Sequence, residues 1–203
     1  MSEHLSNRLN QILPRITDKV FLSSEGIGKE IACYIFDYPA SDELMVREHL
    51  AMMMDRIASH HSDLRVLHLN LLDVGMAYLK HRRLFDKTIE KQTSEDDANI
   101  IKKLKGPFAA ERVRDFIGAT HNPSDYDLLI LSGIGSIWPI LRAHSLLNCL
   151  HSIMKQTPLV MFYPGTFDGL TLSLFGQIAA STSQPGKKPY YRAISLIAGG
   201  TIE

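Results

Sequence analysis

The sequence predicts an α/β fold: a Rossmann-like three-layer sandwich, with a mostly parallel sheet of about five strands and a helical insertion between the second and third. Three observations predict it. Five compact apolar runs have strand length: "IACYIF", "LRVLHLNLL", "DLLIL", "PLVMFY" and "YRAISLI". The segments between them carry apolar residues at helical spacing. Glycine, proline, aspartate and serine collect where runs end, as turns and helix caps require. Runs without polar alternation suit strands covered on both faces, which a parallel sheet with flanking helices provides.

Each element follows in order. Leu5, Leu9, Ile12 and Leu13 share one face of an opening helix that Pro14 should end, within an N-terminal helical segment 1–28. A short apolar stretch, Ile16 to Leu22, precedes the glycine-bearing turn "SSEGIGKE" and the first strand. Ser41 is placed to cap a helix whose Val46, Leu50, Met53, Met54 and Ile57 keep the 3.6-residue period. After the second strand Asp73 should cap the next helix, opening a more polar helical insertion over about 74–122, broken at "KGP". The third strand runs into Gly133-Ile-Gly135-Ser136, and Pro139 is placed to open a helix over 139–153. A fourth strand, a loop "STSQPGKKP" and a terminal strand complete a single domain over 1–203.

Composition narrows the function classes. Lysine plus arginine and aspartate plus glutamate each total 22, giving a formal net charge of zero. Dedicated nucleic-acid binders carry a basic excess, so strong direct binding of nucleic acid is not expected. Cys33 and Cys149 are isolated in apolar segments and read as reduced thiols rather than a disulfide framework. No apolar run approaches the ~20 residues of a membrane span, which points to a soluble, cytoplasmic protein.

Ligands of open α/β sheets sit beyond the carboxyl ends of strands. Here those ends offer Asp37-Tyr38-Pro39, Asp73, Ser132 to Ser136, and Tyr163 to Gly169. The glycine turn falls short of the known phosphate cradles. Trp138 stands where the dinucleotide fingerprint needs its third glycine, and no lysine completes a P-loop. The generic alternative is an anion held by backbone N–H groups of the Gly133–Ser136 turn. Asp37 and Asp168 are the one candidate carboxylate pair for metal-assisted hydrolysis. His144 and His151 lie about 10.5 Å apart along a helix and cannot share a metal at bond lengths near ~2 Å. No metal, cofactor or complete catalytic signature is expected.

Three stretches carry a family likeness: "IFDYPASDELMVREHL", "LILSGIGSIWPILRAHSLLN" and "PLVMFYPGTFDGLTLSLFG", closed by "YYRAISLI". Together they resemble the BrxB family of BREX bacteriophage-exclusion systems, over about residues 20–197. The matched positions are Asp37, Tyr38, Pro39, Arg47, His49, Gly133, Gly135, Ser136, Trp138, Pro139, Arg142, His144, Asn148, Tyr163, Pro164, Gly165, Asp168 and Gly169. The resemblance implies a cytoplasmic defence protein working with larger BREX partners: a methyltransferase, a phosphatase-like PglZ protein and an ATPase. It brings no catalytic motif. The expectation is a non-enzymatic adaptor, with the PglZ-like protein as first partner. A nucleotide or metabolite sensor is the alternative. Its candidate ligand residues are Asp37, Ser132, Gly133, Gly135, Ser136, Trp138, Arg142, His144 and Asp168.

Overall fold

A computed structural model describes residues 3–23, 33–176, 178–179 and 193–197. The stretches "SSEGIGKE" and "STSQPGKKP" lie, but for Ser23, outside the described residues. Five strands form a parallel sheet in the order β2-β3-β4-β1-β7: β1 is Cys33–Tyr38, β2 Val66–Asn70, β3 Leu128–Ser132, β4 Leu159–Phe167 and β7 Ala193–Ser195. Two short strands, β5 (Leu172–Leu174) and β6 (Ile178–Ala179), add antiparallel to the outer end of β4. Among the described residues the sheet has the expected parallel part of five strands, to which β5 and β6 add a short antiparallel extension.

Side-chain alternation along the strands makes the two outer layers. Ile35, Leu129, Leu131 and Met161 point to one face and join the core beneath α5 (Leu71–His81), α8 (Ala110–Thr120) and α10 (Ala143–Met154). Phe36, Leu128, Ile130 and Phe162 point to the other face, under α1 (Glu3–Asn10), α2 (Ile12–Ile16), α3 (Lys19–Ser23) and α4 (Glu43–His60). All five residues of β3 are buried, so apolar side chains serve both faces at once. Each such side chain stabilises the fold by about 1.5–3 kcal/mol relative to exposure.

Helices α5, α6 (Phe85–Gln92), α7 (Asp97–Lys105) and α8 separate β2 from β3. The predicted break at Lys105 to Pro107 falls between α7 and α8. α6 buries no residue, which accounts for the polar character of this stretch.

Several local expectations change. Pro14 does not end the first helix: the break comes at Gln11, and Pro14 sits in the first turn of α2, where a missing N–H costs nothing. Ser41 falls inside a 3-10 turn, Ala40–Asp42, and α4 starts after it. Asn70, not Asp73, caps α5, its Oδ1 accepting from the Leu72 amide at 3.0 Å. Asp73 instead lies in the first helical turn, where a carboxylate favours the helix dipole. The helix expected over 139–153 starts four residues later than Pro139, and a separate turn of helix precedes it. One-turn α9 (Ile134–Ile137) follows β3 directly, the Trp138–Pro139 bond is cis, and α10 begins at Ala143.

Two glycines provide a paired test of this packing. A Cβ on Gly165 would lie 2.1 Å from the Ser173 carbonyl oxygen of β5, whereas one on Gly106 meets nothing within 4 Å. Gly165→Ala should lower the unfolding free energy by about 3 kcal/mol. Gly106→Ala should leave it unchanged or raise it by about 0.5 kcal/mol. Urea titration of both variants checks the contrast, and equal effects would contradict the close β4–β5 approach.

Candidate functional site

The carboxyl ends of β3, β4 and β1 lie side by side and define one rim. Asp37, next to last in β1, is engaged on three sides. Arg8 of α1 donates from Nη2 to Asp37 Oδ1 at 2.7 Å and from Nη1 to the Asp37 carbonyl at 2.9 Å. The Phe167 amide donates to Oδ2 at 3.2 Å. The Arg8 guanidinium also lies 4.8 Å over the Phe36 ring, and only 8% of the residue is exposed. Its Nε is buried without a partner among the described residues.

Asp168 is engaged within its own turn. It accepts from the Leu170 and Thr171 amides at 2.8 and 2.6 Å and from the Thr171 hydroxyl at 2.5 Å. These bonds, the hydroxyl's first, hold its carboxyl down to about 2. Both carboxylates considered for hydrolysis thus hold backbone in place. Among the described residues no three His, Cys, Asp or Glu side chains converge on a metal-sized point.

The glycine turn is packed from both sides. Gly133 adopts φ +71°, and a Cβ there would lie 2.3 Å from Asn70 Oδ1, the atom that caps α5. A Cβ on Gly135 would lie 2.9 Å from the Phe175 ring and 3.1 Å from Pro164. Both glycines therefore admit protein neighbours at the places where a cradle would admit a phosphate. Ser132 is buried, its hydroxyl 2.8 Å from His68 Nε2, and burial lowers the His68 pKa.

A polar chain crosses the rim beside this turn. Tyr38 donates its hydroxyl hydrogen to Glu43 at 2.7 Å, and Arg47 donates to the other Glu43 oxygen at 2.8 Å and to the Ser136 hydroxyl at 2.9 Å. Burial, and then Glu43, push the Tyr38 phenol far above its ordinary value. The cation missing from the sequence motif thus arrives from α4, 89 residues away.

Trp138 leaves α9 in an extended conformation and meets Phe175 edge-on, ring centroids 6.0 Å apart. Both rings stay partly exposed, at 38% and 37%. Leu170, at the tip of the same β4–β5 hairpin, is 78% exposed. Arg142 takes the N-cap position of α10 without a side-chain capping bond, and it is exposed. His144 is half-buried, and burial followed by the Arg142 charge lowers its pKa.

The structure brings Ser132, Gly133, Gly135, Ser136 and Trp138 into one packed unit with the β4–β5 hairpin. It places Asp37 on the neighbouring strand under Arg8, and Asp168 at the hairpin tip. Sequence reasoning missed Arg8, His68, Asn70 and Phe175. An open cavity of about 790 Å³ lies at the opposite, amino ends of the strands, between Lys19, His61, Asp63 and Lys155.

The family model described as "BREX protein BrxB" matches residues 67–196. A "BREX protein BrxB" of Escherichia coli O9:H4 (strain HS) is 36% identical over 193 residues, covering 95% of this chain and 92% of that protein. One of Bacillus cereus (strain H3081.97) is 35% identical over 195 residues, covering 95% and 97%. No solved structure gives a significant match.

Two stability outcomes follow from the site. Arg8→Met leaves the Asp37 carboxylate without its cation in a largely buried place, so unfolding free energy should fall by about 3 kcal/mol. Adding Asp37→Asn should restore part of that loss, and strictly additive effects in the double-mutant cycle would deny the coupling. Burial holds the folded His68 pKa below its ordinary 6.5, so its contribution is intact above that value and is lost as pH falls through it toward the folded-state pKa. The urea midpoint should therefore drop between about pH 7.5 and 5.5, and less so in His68→Gln. An unchanged pH dependence in the variant would remove His68 from the account.

Proposed function

The chain belongs to the BrxB family of BREX, or bacteriophage-exclusion, proteins, and on that premise we propose that it is a non-enzymatic adaptor whose carboxyl-end rim docks onto another BREX component. One observation carries this reading. The rim presents a partly exposed aromatic pair, Trp138 and Phe175, packed edge-on beside carboxylates that are bonded within the protein itself. A few residues dominate binding free energy at protein interfaces, and tryptophan is enriched among them. The neighbouring polar groups support the same reading. Asp37 bonds Arg8 and the Phe167 amide, Asp168 its own turn, and Ser132 His68. The PglZ-like component is the first partner to test.

A second reading, a small anionic ligand at the rim, draws on Arg47. Its guanidinium reaches Ser136 while the side chain remains 48% exposed. Glu43 neutralises part of that charge, and protein fills the spaces beside Gly133 and Gly135. This ranks it second.

Each BREX component should be mixed separately with the tagged chain. One of them, the PglZ-like protein first, should be retained. Trp138→Ala combined with Phe175→Ala should weaken that binding by at least about thirtyfold, the ~2 kcal/mol of an interface hot spot. The variant should keep the wild-type melting temperature within a few degrees, since both rings are part-exposed. Retention of no component, or full binding by the double variant, would reject the docking surface. A melting-temperature rise with ATP or ADP that Arg47→Ala abolishes would favour the second reading.

A further inference from the structure

We propose that a cavity beside the edge strand β2, separate from the docking surface, binds a nucleoside. The cavity measures about 370 Å³ and lies at the carboxyl end of β2, between the start of α5 and the end of α8. That volume is at the small end of the range for small-molecule sites. Neither Trp138 nor Phe175 lines it.

Its lining determines the ligand chemistry. Polar groups come from three elements: His68 and Asn70 of β2, Asp73 of α5, and Thr120 and His121 at the end of α8, with His68 already bonded to Ser132 and Thr120 to the Phe116 carbonyl. No lysine or arginine lines the cavity, and its single carboxylate, Asp73, is exposed, its charge acting on the neighbouring His68. A phosphate or other anion would be repelled there, so the ligand is uncharged or cationic and brings hydrogen-bond donors. Val74, Ala77 and Phe116 form an apolar wall, which calls for a flat or apolar portion on the same molecule. A nucleoside combines the two: a sugar diol to donate to Asp73 and an uncharged base to lie on the wall.

Parts of the cavity are fixed before any ligand arrives. Asn70 Oδ1 is committed to the Leu72 amide and held by the close approach of Gly133, which leaves the amide N–H groups to donate. Phe116 is set by ring contacts with Tyr78 at 5.4 Å and His81 at 5.2 Å. Asp73 stands in the first turn after the strand, near the position from which α/β folds hold sugar hydroxyls with a carboxylate.

The test is calorimetric titration of the intact chain with adenosine, guanosine, cytidine and uridine in turn, repeated on Asp73→Asn and Ala77→Phe. Ala77 is exposed on α5, so the larger side chain obstructs the cavity without entering the core; melting temperature verifies folding of both variants. At least one nucleoside should bind saturably. Asp73→Asn should weaken it by about tenfold or more, as should Ala77→Phe, and the 5′-monophosphate should bind less tightly than the nucleoside. Absence of saturable binding by all four would overturn the proposal. So would binding that both folded variants retain unchanged, or a monophosphate that binds more tightly than its nucleoside.

Discussion

The pairing of Arg8 with Asp37 is the constraint on which the rim depends. Taking a guanidinium and a carboxylate largely out of water is costly, and geometry must compensate. Here Arg8 makes two bonds to one residue and lies over Phe36, while the second carboxylate oxygen holds the Phe167 amide. One interaction therefore joins the N-terminal helix, a central strand and the far end of β4. The β4–β5 hairpin that grows from that end brings Phe175 against Gly135 and Trp138. The exposed aromatic pair depends on this chain of contacts.

The polar groups of this rim are largely engaged with the protein itself. A catalytic site holds titratable groups near the reacting atoms with their pKa values tuned to the task. At this rim the shifts have structural causes: Asp168 is lowered by its own turn, and Tyr38 is raised by burial and Glu43. The glycines follow suit, since Asn70 and Phe175 fill the spaces their missing Cβ atoms leave.

The sheet was legible in the sequence because buried parallel strands leave continuous apolar runs, and each of the five predicted runs overlaps a described strand. Boundaries were less so. The Leu71–Leu72 pair after β2 is apolar in either state, so periodicity could not show that α5 begins there with Asn70 as its cap. The split before α10 had a signal that went unused. Trp138 precedes a proline, and such a residue is driven away from helical geometry; its ψ of 141° follows that rule. The site's ties were beyond local reading. Arg8 and Asp37 are 29 residues apart, and Arg47 and Ser136 are 89 apart. Only the fold reveals that Asp37 holds backbone.

Trp138 is the one tryptophan of the chain, which makes it a reporter on the surface that matters most. Labelled with 5-fluorotryptophan, the protein should give a single ¹⁹F resonance. Unlabelled PglZ-like component, added to stoichiometry, should shift or broaden that resonance, and a non-binding protein should leave it alone. A complex that forms while the Trp138 resonance keeps its position and width would contradict docking through this rim.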